Sequence, residues 1–144
     1  MKIYFCASIR GGRQLADSYE KLIHMLQEHG QVLTEHLGSD EIIESKDRVL
    51  TDKEIHDRDM DWVRESDLVV AEVTVASLGV GYEIGRAIEL GKPVLCLFNT
   101  NSTFTLSAMI AGSEGVIYHN YQDLEEVPKL LEEFLKGRVP GRTF

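Results

Sequence analysis

Short apolar segments alternate with amphipathic segments of helical period, and this alternation restricts the possible fold more than any other feature of the chain. The apolar segments cover residues 2–6, 31–34, 67–73, 94–98 and 116–118, and each is short enough to be a β-strand. Segment 67–73 (DLVVAEV) is suited to a strand that is buried on both faces. Strands that alternate with helices predict a parallel sheet with right-handed crossovers.

The segments between these strands carry helical signals. The first helix is predicted from five apolar residues at helical spacing, Leu15, Tyr19, Leu22, Ile23 and Leu26. Gly30 follows as a terminator, and a second helix is predicted over residues 52–65. A third helix ends near Leu90. The last helix is predicted over residues 121–136, where Pro128 either interrupts the helix or marks its true start.

Five such strands favour an α/β, doubly wound parallel sheet of order 2-1-3-4-5, flavodoxin-like or Rossmann-like, in one domain over residues 1–144. In that order the chain changes direction between the first and third strands, and ligands bind outside the carboxyl ends of these strands. The loops at that point are residues 7–13 and 74–81. Residues 38–51 show no clear period and are interpreted as a loop that covers a site.

Composition excludes several classes of function. The formal net charge of -9 argues against a nucleic-acid polymer as partner, although local donors can still bind a small anion. Cys6 and Cys96 fall inside predicted strands and are expected to be free thiols in a reducing cytoplasm. No signal peptide and no membrane span of ~20 apolar residues is predicted. The histidines have no metal-ligand spacing, so neither a metal nor a cofactor is expected.

The loop after the first strand is rich in hydrogen-bond donors. It contains Ser8, Ile9, Arg10, Gly11, Gly12 and Arg13. Glycines allow backbone N–H groups to turn towards an anion, and the positive end of a helix dipole follows. The loop therefore predicts a phosphate site, although composition alone also fits an ordinary turn with a solvated arginine.

The loop after the third strand resembles a dinucleotide-binding motif only superficially. Its glycines have the spacing Gly79-x-Gly81-x-x-x-Gly85, which is one residue too long. It also follows the third strand rather than the first, and no acidic residue ends the next strand to hold a ribose. A dinucleotide site is therefore rejected.

Two carboxylic acids are the candidate chemical groups. Glu83 lies near the start of the third helix, where the helix dipole is expected to favour its ionised form. Spacing alone also allows Glu83 to form a surface ion pair with Arg86. Asp59 falls on the apolar face of the second helix, where burial is expected to raise its pKa. It could instead cap a neighbouring loop. The helical wheel places four charged neighbours on the opposite face, Asp57, Arg58, Asp61 and Arg64.

Three further polar residues lie near the predicted site. Tyr4, in the first strand, needs a hydrogen-bond partner for its hydroxyl group. His36 closes the second strand and could line the pocket. Glu72 is an acid in a buried strand, and the sequence assigns it no role.

Taken together in order, these segments resemble the 2′-deoxynucleoside 5′-phosphate N-hydrolases of the nucleoside 2-deoxyribosyltransferase superfamily. The matching motifs are YFCASIRGG from Tyr4, LTEH from Leu33, VAEVT from Val70, SLGVGYEIGR from Ser77 and LSAMI from Leu106. The resemblance covers nearly the whole chain. It departs from the animal members at Ala7, where they have a glycine, and the added methyl group would narrow the phosphate site.

The resemblance implies a role for each candidate residue. Glu83 matches the nucleophile, Tyr4 the tyrosine that contacts it, and Asp59 the aspartate that assists departure of the base. The positions that match residues around the 5′-phosphate are Ser8, Arg10, Ser77, Gly79 and Ser107, and Ser107 comes from the partner subunit of a homodimer. Met109, with the adjacent Ala108, and His36 match positions near the substrate.

The implied reaction is a retaining hydrolysis through a covalent Glu83 ester, without a cofactor, and its substrate is a small nucleotide. Transfer of deoxyribose to another base is one alternative, but the donors in the loop that begins at Ser8, together with Ser77, favour a nucleotide. Hydrolysis of a ribonucleotide such as cytidine monophosphate is a second alternative. A non-catalytic nucleotide sensor is a third, and the acid pair argues against it because a binding module does not need two buried acids.

Overall fold

The chain folds into a five-stranded parallel sheet with helices on both faces. The structure, a computed structural model, describes residues 1–9, 13–35 and 50–137. The strands are β1 (Lys2–Ala7), β2 (Gln31–Val32), β3 (Leu68–Glu72), β4 (Val94–Asn99) and β5 (Ile117–Tyr121). Their order is β2-β1-β3-β4-β5, which confirms the predicted topology.

Two helices pack on each face of the sheet, because successive strand residues point to opposite sides. The helices are α1 (Arg13–Gln27), α2 (Asp52–Glu65), α3 (Leu78–Glu89), the short α4 (Ala108–Ala111) and α5 (Val127–Leu135). Helices α1 and α5 cover the face that contains Ile3 and Phe5. Helices α2 and α3 cover the other face, where Tyr4 and Cys6 lie.

Helix α2 begins where the sequence predicts, because its cap is complete. Thr51 accepts a hydrogen bond from the backbone N–H of Glu54, whose carboxylate accepts from the backbone N–H of Thr51 in return. The last helix does not begin at residue 121, and Pro128 marks its true start, which was the second of the two predicted possibilities. β5 continues to Tyr121, a single 3₁₀ turn follows at Leu124–Glu126, and Pro128 lies in the first turn of α5.

A buried polar cluster connects the carboxyl ends of three strands on the α1 and α5 face. Glu72, at the end of β3, is 1% exposed and accepts hydrogen bonds from the hydroxyl groups of Thr74 and Tyr121. Thr74 in turn accepts from the backbone N–H of Asn99 at 2.8 Å. The acid that the sequence leaves without a role therefore joins β3, β4 and β5 directly behind the switch point.

The described helices are all short. The longest, α1, has 15 residues and carries charged residues throughout, so none of the described helices could span a bilayer. Most of the predicted loop 38–51 lies outside the described residues, which resume at residue 50.

Candidate functional site

A cavity of about 480 Å³ opens at the carboxyl ends of β1 and β3, where the sheet order predicts a ligand site. Both predicted acids line it, together with predicted residues from the two switch-point loops. The predicted residues in its wall are Tyr4, Ala7, Ser8, Ile9, Asp59, Ser77, Gly79 and Glu83. The fold thus brings together residues that are far apart in the sequence.

Glu83 lies in the second turn of α3 and points to β1. The hydroxyl group of Tyr4 donates a hydrogen bond to Glu83 Oε1 at 3.0 Å, which confirms the predicted contact between the two residues. The alternative ion pair with Arg86 is absent from the described contacts, since Arg86 donates to the hydroxyl oxygen of Tyr82 at 3.1 Å. Glu83 is therefore held towards the cavity.

Burial opposes the predicted effect of the helix dipole on Glu83. Burial and, to a smaller extent, the negative charge of Asp59 raise the pKa of Glu83 to about 7, against the hydrogen bonds from Tyr4 and Cys6, which favour the ionised form. The helix dipole acts mainly on the first turn, and Glu83 lies beyond it. Desolvation therefore outweighs the dipole, and Glu83 exchanges its proton near neutral pH.

Asp59 reaches the cavity from α2 and pairs with its own neighbour. Arg58 Nε donates to Asp59 Oδ1 at 2.9 Å, and the two side chains are 24% and 21% exposed. The prediction that Arg58 lies on the solvent side of α2 is wrong. Its long side chain folds back so that the guanidinium lies 4.9 Å from the ring centroid of Trp62 and lines the cavity.

One part of the cavity wall combines the N-terminus of α3 with the hydroxyl groups of Ser77 and Ser8. Ser77 caps α3, and its Oγ accepts from the backbone N–H of Val80 at 3.3 Å. Ser8 is 4% exposed and lies at the end of β1. Such a wall can bind an anion, because N–H groups and hydroxyl groups both donate to it.

The remaining predicted residues fall into two groups, those whose position is not described and those that lie at a second cavity. Arg10, Gly11, Gly12 and His36 lie outside the described residues, and Arg13 is the first residue of α1. Ser107, Ala108 and Met109 are exposed at the start of α4. Ser107 and Met109 line a second cavity, of about 650 Å³, which adjoins the first at Ser77, Leu78 and Val80.

Sequence reasoning missed several residues of the wall, namely Cys6, Thr34, Ile55, Arg58, Ala76, Leu78 and Val80. Strand alternation could have identified Cys6, because it lies two residues after Tyr4 and so faces the same side. Thr34 is held by hydrogen bonds with the backbone N–H and C=O of Phe5, at 3.0 and 2.6 Å. No local pattern in the sequence indicates that contact.

The described residues contain no group of three His, Cys, Asp or Glu side chains arranged to hold a metal ion. The potential chemical groups of the cavity are two carboxyls, one tyrosine hydroxyl, one thiol, one guanidinium and several hydrogen-bond donors. Such a set can attack an electrophilic carbon and bind an anionic substrate.

We expect the pH profile of the reaction to report the contact between Tyr4 and Glu83. If Glu83 must be ionised, kcat/KM should rise with pH to half its maximum near pH 7. Tyr4→Phe removes a hydrogen bond that favours the ionised form, so the rise should move to higher pH by about one unit. Tyr118→Phe is the control, because Tyr118 is 41% exposed on β5. An unchanged midpoint in Tyr4→Phe would show that Glu83 does not govern the profile.

Comparisons with known proteins point to one family, in agreement with the residues that line the cavity. The family model described as nucleoside 2-deoxyribosyltransferase matches residues 3–128. A protein of Tetraodon nigroviridis named 5-hydroxymethyl-dUMP N-hydrolase is 49% identical, with 96% of this chain and 99% of that protein covered. A human protein of the same name is 43% identical, with 98% of this chain and 83% of that protein covered.

Solved structures share the fold at low sequence identity. The Clostridium botulinum CMP N-glycosidase superposes with a TM-score of 0.68 at 21% identity, with 93% of this chain and 99% of the other covered. A 2-deoxyribosyltransferase from Bacillus psychrosaccharolyticus gives a TM-score of 0.63 at 18% identity, with 89% and 90% covered. These two structures support the fold, and the family model and the close relatives identify the lineage. The chain belongs to the nucleoside 2-deoxyribosyltransferase family.

Proposed function

We propose that this protein hydrolyses the N-glycosidic bond of 2′-deoxynucleoside 5′-monophosphates and releases a free base and 2-deoxyribose 5-phosphate. The observation that carries the proposal is the placement of Glu83. It lies in a cavity beside a second acid, with the Tyr4 hydroxyl 3.0 Å from its carboxylate and with anion donors on the adjacent wall. The names of the relatives from Tetraodon nigroviridis and Homo sapiens support the same reaction.

In the proposed mechanism the reaction has two steps. A Glu83 carboxylate oxygen bonds to C1′ while the C1′–N bond breaks, and the electron pair of that bond leaves with the base. Asp59 assists departure of the base by supplying its proton. Water then cleaves the ester between Glu83 and the sugar, and its proton restores Asp59. Water is the only co-reactant, so no cofactor is required.

The donors around the cavity would hold the 5′-phosphate. Ser8, Ser77 and the N-terminal turn of α3 at Gly79 are the described candidates, and Arg10 is the candidate outside the described residues. Charge-assisted hydrogen bonds of this kind are stronger than neutral ones. We also propose that residues 1–144 form a single domain and that the protein acts in the cytoplasm.

The direct test of the reaction is the identification of its products. Purified protein is incubated with a panel of deoxy- and ribonucleotides, and the free bases are separated by chromatography. We expect base release from the deoxynucleoside 5′-monophosphates and a much slower reaction with the ribonucleotides, because a 2′-hydroxyl group opposes positive charge at C1′. Release from cytidine monophosphate alone would contradict the proposed substrate class.

We also propose that the protein acts as a homodimer in which Ser107 completes the partner's phosphate site. Within one chain Ser107 does not line the cavity that holds Glu83. The neighbouring surface is apolar and exposed, with Leu78 97% and Met109 82% exposed. Both side chains line the 650 Å³ cavity, and a second copy could bury them there.

Subunit mixing would test the shared site. Glu83→Ala and Ser107→Ala proteins are expected to be weakly active alone. Mixed dimers would contain one site in which both residues are intact, so activity should exceed the sum of the two separate preparations. Ser113→Ala in place of Ser107→Ala is a control for the serine substitution. A fully active monomer would refute the shared site.

A further inference from the structure

Arg58 introduces a positive charge into the cavity beside the acid pair. It is the only Lys or Arg among the cavity residues that the structure describes. The protein carries a formal net charge of -9, and both carboxyls of the cavity face the same space. The negative field of these carboxyls favours a cation at this point, and Arg58 gives the cavity a positively charged donor.

The contacts of the Arg58 side chain include an ion pair and a stacked aromatic ring. Its Nε donates to Asp59 Oδ1 at 2.9 Å, and its guanidinium lies 4.9 Å from the ring centroid of Trp62. Stacking on the indole ring and pairing with a carboxylate both restrict the guanidinium. Little conformational freedom is left to lose when a ligand enters, so the charge is preorganised.

We propose that Arg58 stabilises the negative charge that develops on the carbonyl oxygens of the departing base, an inference that rests on the proposed function. When the C1′–N bond breaks, its electron pair moves into the base. In a uracil-type or other oxo-base that charge spreads onto the carbonyl oxygens. A guanidinium has donors only and retains its proton, so it interacts more strongly with these oxygens as the charge grows.

Connectivity favours the base over the phosphate as the group near Arg58. Glu83 must meet C1′, and the base is bonded to C1′ directly, whereas the sugar separates C1′ from the 5′-phosphate. Asp59, the proposed partner of the base, is the next residue along α2. The two carboxylates would repel a phosphate placed here more strongly than a base, because a phosphate carries a larger and more localised negative charge.

Arg58 and Asp59 would act together on the departing base. Arg58 stabilises the charge on the carbonyl oxygens while the C1′–N bond breaks, and Asp59 supplies the proton.

Leaving-group dependence tests this inference. We would measure kcat/KM for deoxyuridine 5′-monophosphates with fluorine, hydrogen or methyl at C5, which alter the acidity of the released base. The parameter kcat/KM reports base departure even if later ester hydrolysis limits kcat. Arg58→Gln should lower it about 10- to 100-fold for the poorest leaving group and only a few-fold for 5-fluorouracil, so that its dependence on base acidity becomes steeper.

Matched variants separate this role from a general structural one. Arg64→Gln is the control, because Arg64 lies on the same helix, pairs with Asp61 at 2.7 Å and is 49% exposed. Arg58→Lys keeps the charge but loses the planar set of guanidinium donors. We expect the dependence of its kcat/KM on base acidity to lie between those of the wild type and Arg58→Gln. Thermal unfolding of each variant would show whether the fold is retained.

Each remaining outcome decides against the inference. An equal loss for all three bases would show that Arg58 only supports the fold or Asp59. A loss confined to nucleotides, with deoxynucleosides unaffected, would assign Arg58 to the phosphate. Wild-type protein that releases no base would overturn the proposed function as well. If the wild-type protein is active and kcat/KM depends on base acidity equally steeply in the wild type and in Arg58→Gln, only this inference is overturned.

Discussion

Glu83→Gln is expected to abolish base release and, above neutral pH, to make the protein more stable. The amide cannot attack C1′, so kcat should fall by at least about 10³-fold. The same change removes a carboxyl group that the fold destabilises when it is ionised, since burial raises the pKa of Glu83 to about 7 from an ordinary value of 4.5. Loss of function and gain of stability would therefore have one cause.

The direction of the stability effect follows from proton linkage. A carboxyl whose pKa is higher in the folded state contributes its full stability below about pH 4.5 and loses that contribution as the pH rises through 7. The difference between 4.5 and about 7, at about 1.4 kcal/mol per pH unit, sets an upper bound of about 3.5 kcal/mol. Thermal unfolding at pH 8 should thus favour Glu83→Gln, and the advantage should disappear near pH 4.5.

Two controls accompany this variant. Glu89→Gln changes an exposed glutamate on the same helix and should alter neither turnover nor the pH dependence of unfolding. Intact-mass spectrometry of wild-type protein quenched during turnover should detect a deoxyribosyl phosphate adduct on Glu83. Near-normal turnover in Glu83→Gln would remove Glu83 from the mechanism.

Removal of the 5′-phosphate from the substrate should produce the second large effect. Two charge-assisted hydrogen bonds, each contributing about 1.5–3 kcal/mol, would make a deoxynucleoside about 10²- to 10⁴-fold poorer in kcat/KM than its nucleotide. The described donors are Ser8, Ser77 and the first turn of α3. The measurement compares deoxyuridine with its 5′-monophosphate under identical conditions.

A serine variant links this effect to the cavity. Ser8→Ala should slow the reaction of the nucleotide and leave that of the nucleoside unchanged, because only the nucleotide uses the lost donor. Equal rates for nucleoside and nucleotide in the wild-type protein would instead favour transfer of deoxyribose between bases.

The sheet was predictable because its signal is repeated along the chain. Five apolar segments joined by helical segments leave few topologies open, and the order 2-1-3-4-5 was one of them. The end of β5 was not predictable in the same way. Tyr118 and Asn120 are exposed on this edge strand, so its polar residues do not continue the apolar pattern that marks the buried strands.

The site was predictable in position and only partly in chemistry. A helical wheel gives the angle at which a side chain leaves the helix, but it ignores how far a long side chain can bend, and so it missed Arg58. The sequence also does not show how far burial opposes the helix dipole, and so the raised pKa of Glu83 was not predicted. Ser107 lies at the start of α4, outside the cavity that holds Glu83, and its contribution to a partner's phosphate site stays a prediction.

The two faces of the sheet have largely separate roles: one carries residues of the candidate site, and the other packs against α1 and α5. Tyr4 and Cys6 point to the acid pair, while Ile3 and Phe5, their neighbours in β1, pack against α1 and α5. Substitutions on the α1 and α5 face can therefore change the margin of stability without touching the substrate. The free energy of unfolding gained on that face offsets the destabilisation caused by a buried acid. Stabilising substitutions on one face can therefore compensate, during evolution, for destabilising changes at the site on the other face.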